Sequence, residues 1–304
     1  MHATLCKSPI WRDLLVFHLT QNMHLENGAH PEVRQFAAWL LDLGHGCNQH
    51  SPTHAQLPQS MVISRGAMLE DLIAVIYSNI STPNQHPDQY FSDCMILAPC
   101  NADVHDINDR ILEKFPGEET IYDSADSAVD KEGVDHPEPI PVEYLNLINA
   151  SGLPCSKLAL KVGSPILLLC NLSVKDGLCN GTHLHVEHLG RWVIQAHILG
   201  GFHHGKVAFI PRMMLTPSDL GELNFILKQH QFPVALAFAM TINKAQGQSV
   251  KNIGLDLCAP CFSHGQLYVA LSRVTSPEKV KVIFPPGQHD SLTLNVVYHD
   301  VLID

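Results

Sequence analysis

Between residues 31 and 43, in "PEVRQFAAWLLDL", apolar side chains fall at Val33, Phe36, Ala37, Leu40 and Leu41. That spacing is the stripe of an amphipathic helix, with Pro31 at its first position and Gly44 as its predicted terminator. Residues 94–100, "CMILAPC", form a short unbroken apolar run and predict a buried strand. Asn101 is placed to cap the next segment, where Val104, Ile107, Ile111, Leu112 and Phe115 repeat at helical spacing. A strand leading into a helix is the repeating unit of an α/β fold.

The pattern lapses from 116 to 152, a stretch rich in Pro, Gly, Asp and Glu that reads as a connection. It then changes character. "ALKVGSPILLLCNL", "GTHLHVEHL", "RWVIQAHIL" and "KVAFIPRMML" are short apolar or alternating runs separated by glycine-bearing turns, and they predict a small β-barrel or sandwich over 153–232. After 232 the α/β pattern resumes: "PVALAFAMT", "NIGLDL" and "KVKVIF" predict strands, and "SHGQLYVALSR" a helix. Strands alternating with helices imply a mostly parallel sheet with flanking helices. The expected division is therefore 1–152 and 233–304 as one α/β domain, interrupted by the β segment 153–232.

Composition narrows this only slightly. A chain of 304 residues, 45% hydrophobic and 16% charged, can bury one large or two modest cores. No apolar run reaches the roughly 18 to 20 residues of a membrane span, and "MHATLCKSPIWRDLL" lacks the order of a secretory signal, so an intracellular chain with no membrane partner is expected. Nine cysteines, scattered and odd in number, are expected as free thiols. A net charge of −11 argues against broad nucleic-acid contact and leaves a local basic groove as the available route. Twenty histidines stand against seven arginines.

Two motifs invite chemistry and are set aside. "GGFHHGKV" at 200–207 begins like a phosphate-binding loop, but Val207 replaces the Mg²⁺-holding hydroxyl and the stretch lies between two predicted strands, where a glycine-rich hairpin is expected. No other stretch of the sequence fits G-x-x-x-x-G-K-[ST]. "CAPC" at 258–261 is a single C-x-x-C without a second pair, too little for a zinc site, and no metal site is assigned.

"FAMTINKAQGQSV" (238–250) followed by "FSHGQLYVALSRV" (262–274) resembles the last two motifs of superfamily 1 DNA helicases of the PIF (petite integration frequency) type, in particular those carried by Helitron transposons. "LKVGSPILLLCNLSVKDGLCNGT" (160–182), "MILAPCNADVHDIN" (95–108), "WRDLLVFHLTQNM" and "FAAWLLDLGHG" resemble further segments of that family, so the likeness runs over most of the chain. It implies the second RecA-like helicase domain with an inserted SH3-like β-barrel, from an ATP-dependent enzyme whose first domain carries the phosphate loop and the Mg²⁺ site. ATP and Mg²⁺ are then expected only when a first RecA-like domain completes the site. The other implied partner is single-stranded DNA, and the implied location is the nucleus.

The resemblance also implies roles. Arg273 in "ALSR" would be an arginine finger toward the γ-phosphate; by itself it reads equally as a surface arginine at a helix end. Gln246 and Gly247 in "KAQGQS" would sense the nucleotide. Thr241, Asn243 and Lys244 would face the single strand, against the alternative of a polar cap and a solvated helix. Asn101 would contact DNA or merely cap its helix. Asn180-Gly181 in "CNGT" reads first as a hairpin turn.

Three positions depart from the pattern. His24 follows Asn22-Met23 where the family carries an arginine that contacts the γ-phosphate, and a largely neutral imidazole lacks the guanidinium fork. Cys170 and His183 also stand where arginine is usual. Single transitions at CpG turn CGN arginine codons into cysteine or histidine codons, so this pattern, like the histidine excess, fits a decaying transposon-derived copy. Catalytic inactivity of the chain alone is expected. The rival expectation is a non-enzymatic module or pseudoenzyme that binds single-stranded nucleic acid.

Overall fold

The computed structural model describes residues 8–15, 17, 30–47, 49–51, 53–64, 66–82, 87–129, 140–148, 150, 152–217, 224–288 and 290–302. In chain order its elements are α1 (Pro31–His45), β1 (Gln49–Ser51), β2 (His54–Gln56), α2 (Leu69–Ile76), α3 (Asp88–Asp93), β3 (Cys94–Ala98), α4 (Asn101–Lys114), β4 (Glu119–Asp123), β5 (Ala125–Val129) and α5 (Val142–Leu145). There follow β6 (Lys157–Lys161), β7 (Pro165–Leu168), β8 (His183–Leu189), β9 (Val193–Ile198), β10 (Val207–Pro211), β11 (Met213–Leu215) and β12 (Ile226–Gln231). The last are β13 (Val234–Leu236), β14 (Ala239–Thr241), β15 (Asn252–Asp256), α6 (Gln266–Leu271), β16 (Val280–Ile283) and β17 (Leu292–Leu294).

The chain divides into two compact units: Met1–Ile76, Ile96–Val104 and Met240–Asp304 in the first, Tyr77–Met95 and His105–Ala239 in the second. The first contains the α/β sheet, ordered β14-β3-β15-β16, in which β15 and β16 run parallel. Its strands are buried almost throughout, as a sheet covered on both faces requires. Helix α2 presses Leu72 and Ile76 onto β15 so closely that a Cβ on Gly254 would come within 2.9 Å of Ile76 and 3.0 Å of Leu72. Gly254→Ala should cost about 1–3 kcal/mol in urea unfolding through overpacking; an unchanged midpoint would mean that α2 can shift away.

Helix α1 starts with proline at its first turn, as the pattern predicts, but Gly44 does not end it. The terminator is Gly46 at φ 74, while Gly44 lies inside the helix, where an added Cβ would come 3.1 Å from the ring of Tyr268 on α6. Close packing, not termination, is the job of Gly44. A small antiparallel sheet, β1-β2-β17, completes this unit, and buried Asn295 donates to the Leu43 carbonyl at 3.0 Å.

The second unit is mainly antiparallel. Five strands run in the order β10-β9-β8-β7-β13, beside a three-stranded sheet β11-β12-β5 and the pair β4-β6. On β8 and β9, Leu184, Val186, Ile194, Ala196 and Ile198 point into one core, while the residues between them face outward. Phe238 packs its ring against Tyr77, Phe91 and Phe115, with centroids 5.4 to 6.0 Å apart. The side chain of Asn108 makes two bonds to Ala239, donating to its carbonyl (3.0 Å) and accepting from its amide (2.9 Å).

Two further expectations need correction, and one strand has no counterpart among them. Residues 116–152 are not merely a connection, for they contain β4, β5 and α5; β4 buries only Tyr122 and β5 only Val129, so the apolar signal of a strand is weak. "PVALAFAMT" is not one strand: β13 pairs antiparallel with β7, the Ala237 amide then bonds to the Pro165 carbonyl, and β14 joins the other sheet. Strand β12, "ILKQHQ", carries a polar residue at every position after Leu227, two of them buried. Gln229 and Gln231 turn inward, and Gln231 donates to the Tyr122 carbonyl at 2.7 Å.

Candidate nucleotide and nucleic-acid site

The "GGFHHGKV" stretch is the β9–β10 hairpin, with Val207 opposite His197 and Ala208 opposite Ala196. Its lysine is engaged: Lys206 Nζ donates to Asp176 Oδ1 at 2.7 Å, holding that carboxyl below its ordinary pKa. No helix follows the loop, so the backbone N–H array that holds a phosphate is missing. The expected hairpin is what forms.

The residues singled out for nucleotide and strand contact gather in the first unit. After β14 the chain does not enter a helix; residues 242–247 form consecutive turns. The solvated helix considered for this stretch is therefore absent. The amide of Ile242 bonds to the Ala98 carbonyl at 3.1 Å, which sets the turn beside the end of β3. Asn101 opens α4 three residues past that end, as the helix's first residue and not as a cap outside it. Asn101, Asn243, Lys244, Gln246 and Gly247 are all exposed, and Thr241 is buried beneath the turn. Gly247 has φ 85, a left-handed conformation that other residues adopt at a cost, so its glycine is required by the turn itself.

Arg273 follows α6 and reaches back to the same turn. Its Nη1 donates to the carbonyls of Gln248 (2.9 Å) and Ala245 (3.3 Å), its Nε to Val269 O (2.8 Å) and its Nη2 to Ser272 Oγ (2.8 Å). Its own carbonyl accepts from the Val250 amide at 3.1 Å. A guanidinium has five N–H donors, and four are spent on the residue's own unit. Partial burial lowers the pKa of this group from its ordinary value, with nearby Tyr268 acting in the opposite direction. The structure thus joins the two motifs through one side chain.

Other expectations fall elsewhere. His24 lies outside the described residues. Asn180-Gly181 forms the expected tight turn, with Gly181 at φ 89 and the Asn180 amide bonded to Asn171 Oδ1 at 2.8 Å. Cys170 directs its thiol to the Met213 sulfur at 3.8 Å. In "CAPC", burial pushes both thiols up to about 12, with Asp256 adding to the effect at Cys258 and Cys100 at Cys261. Cys258 is exposed as a residue although its sulfur is partly enclosed, and Cys261 is buried. Among the described residues no helix is long and apolar enough to cross a membrane.

The first unit thus combines a covered α/β sheet, a turn at its strand ends and an arginine folded back on that turn. Comparison with known proteins gives the type. The family model for the 2B domain of the DNA helicase Pif1 matches residues 143–189. The ATP-dependent DNA helicase PIF1 of Homo sapiens is 32% identical over 184 residues, which is 60% of this chain and 26% of that protein. The ATP-dependent DNA helicase Pif1 of Campylobacter jejuni is 24% identical over 224 residues, 72% of this chain and 48% of that protein. The crystal structure of Bacteroides Pif1 bound to ssDNA matches with a TM-score of 0.51 at 22% identity, covering 82% of this chain and 48% of the other. At that identity the likeness shows the fold. Over the matched residues the chain is similar to Pif1-type DNA helicases, and it spans about a quarter of the human relative and about half of the bacterial one.

Proposed function

We propose that residues 1–304 supply the second RecA-like domain and the 2B domain of an ATP-dependent DNA helicase that moves on single-stranded DNA in the nucleus. The observation that carries the reading is the Arg273 clasp, which ties "ALSR" to "KAQGQS" at the end of the α/β sheet. On this reading Arg273 is the arginine finger, Gln246 and Gly247 sense the nucleotide, Asn243, Lys244 and Asn101 line the DNA path, and Thr241, buried beneath the turn, supports them from behind. His24 is the weakened second phosphate contact. We further assign the antiparallel strands of 153–232 to an SH3-like barrel inserted between 1–152 and 233–304. Strands β4 and β5 contribute to its edges through their pairing with β6 and β12.

ATP and Mg²⁺ would be held only together with a first RecA-like domain, because residues 1–304 contain no phosphate loop. The 304-residue chain alone should therefore show no ATP hydrolysis above background, with or without single-stranded DNA. A DNA-stimulated rate from this chain would sink the proposal.

A second reading has one observation behind it. Arg273 is held by four bonds within its own unit, and a guanidinium so engaged serves a non-catalytic binding module as well as an enzyme. Both readings expect single-strand binding that weakens with salt. Lys244→Ala should lower affinity similarly for all sequences and reduce the salt slope by about 0.7, the loss of one phosphate contact to a single strand. An unchanged slope would remove Lys244 from the DNA path.

A further inference from the structure

Outside the helicase motifs, the outward face of β8 and β9 carries a cluster that the resemblance gives no role. His185 and His197 are directly opposed across the two strands, with ring centroids 4.9 Å apart. Asp88, the first residue of α3, lies against both: its Oδ2 is 3.0 Å from His197 Nε2 and its Oδ1 3.4 Å from His185 Nε2. The three ligand atoms lie within 4.8 Å of one another. Tetrahedral zinc with bonds of about 2.0–2.1 Å sets its ligands about 3.3 Å apart, so each imidazole already stands near that spacing from one Asp88 oxygen, and a small rotation of the half-exposed carboxylate would bring a single oxygen to both.

The surroundings of His197 support the same use. Its Nδ1 is 3.0 Å from Glu187 Oε1, and the other oxygen of Glu187 accepts from Gln195 Nε2 at 2.6 Å. A carboxylate bonded to Nδ1–H leaves the Nε2 lone pair for a metal and fixes the ring plane, the usual support of a metal-binding histidine. His185 is steadied by the ring of Phe91, stacked at 6.0 Å. Both imidazoles are mostly covered, at 15% and 13% exposure, while the Asp88 side chain is 48% exposed and leaves a way in from solvent. Without a metal, the same short contacts make His197 a bridge between two carboxylates.

We propose that Asp88, His185 and His197 bind one divalent transition-metal ion of zinc type, with Glu187 positioning His197 and a water completing four-coordination. The site joins α3 to the antiparallel sheet of the second unit, and its role is to fasten that helix. It is independent of the helicase reading, since none of its residues belongs to the nucleotide or DNA set.

The untagged 304-residue chain, stripped by chelator, would be titrated with Co²⁺ and then Zn²⁺, with bound metal measured by elemental analysis. One equivalent should bind, giving a visible Co²⁺ ligand-field band that Zn²⁺ abolishes. Asp88→Asn and His197→Ala should each weaken binding at least tenfold. Glu187→Gln should weaken it about tenfold while keeping the band. Zn²⁺ should also raise the thermal midpoint of the wild type and not that of Asp88→Asn. Asp88 is half exposed, so Asp88→Asn keeps the fold and leaves the test standing if a histidine variant does not. No metal retained by the wild type would overturn the proposal, as would equal affinity in Asp88→Asn, or binding lost instead in the Cys258→Ser and Cys261→Ser pair.

Discussion

Arg273→Ala should lower ATP turnover by at least about 10³-fold, the low end of what an arginine finger contributes. The assay needs these residues beside a first RecA-like domain, either in a longer polypeptide that contains them or with the domain of a Pif1 relative supplied. The geometry dictates the form of the effect. Bonds from Nη1 to Ala245 and Gln248 already aim the guanidinium at the turn containing Gln246 and Gly247, so a nucleotide bound there, as proposed, would meet a charge held in place beforehand. The loss should appear in kcat more than in KM, because the developing phosphate charge is what the arginine would meet. Lysine at 273 keeps the charge without the planar fork and should rescue little. The same substitution also removes four bonds within the unit, and a stability loss of about 1–3 kcal/mol is expected with it. Turnover measured well below the unfolding midpoint separates the two effects. A kcat within tenfold of wild type would leave Arg273 a structural clasp and favour the binding-module reading.

How far the sequence discloses this arrangement depends on what each segment buries. Strand β3 and helices α1 and α4 are legible because burial on one stripe or on both faces leaves an unmixed apolar signal, as in "CMILA" and in Ile107, Ile111 and Leu112. Strand β12 is hidden because its inward positions are Gln229 and Gln231, polar side chains where an apolar alternation would have marked a strand. The motif residues could be named from their order, but not the bonds from Arg273 to Ala245 and Gln248. Those span 28 and 25 residues of chain and depend on how α6 returns to the turn. The histidine cluster had a partial trace. In "HLHVEHL" and "VIQAHI", His185, Glu187, Gln195 and His197 alternate with buried apolar residues, so one outward face was predictable. Its third ligand was not, because Asp88 arrives from a helix 97 residues before His185.

Phe238→Ala should cost about 3–5 kcal/mol in urea unfolding, more than any other single truncation argued for this chain. The ring is fully buried and meets Tyr77, Phe91 and Phe115, three aromatics from separate segments of the second unit. Removing it opens a cavity that no single neighbour can fill, since each of those rings is also constrained elsewhere. Tyr77, for one, donates its hydroxyl to the Phe238 carbonyl at 2.6 Å and to the Cys94 carbonyl at 3.1 Å. Those backbone bonds survive the substitution and hold the cavity open, which places the expected cost at the high end for a phenylalanine. Phe238 also precedes Ala239, the residue gripped from both sides by Asn108, and Thr241 follows two residues later. Loosening at 238 should therefore reach the start of the 241–248 turn, where hydrogen exchange of the Ile242 and Ala245 amides would report it. Phe238→Leu should recover most of the loss by refilling the space. A cost below about 1 kcal/mol for Phe238→Ala would show that the aromatic cluster collapses freely, and exchange unchanged at Ile242 would show that the strain stops at Asn108.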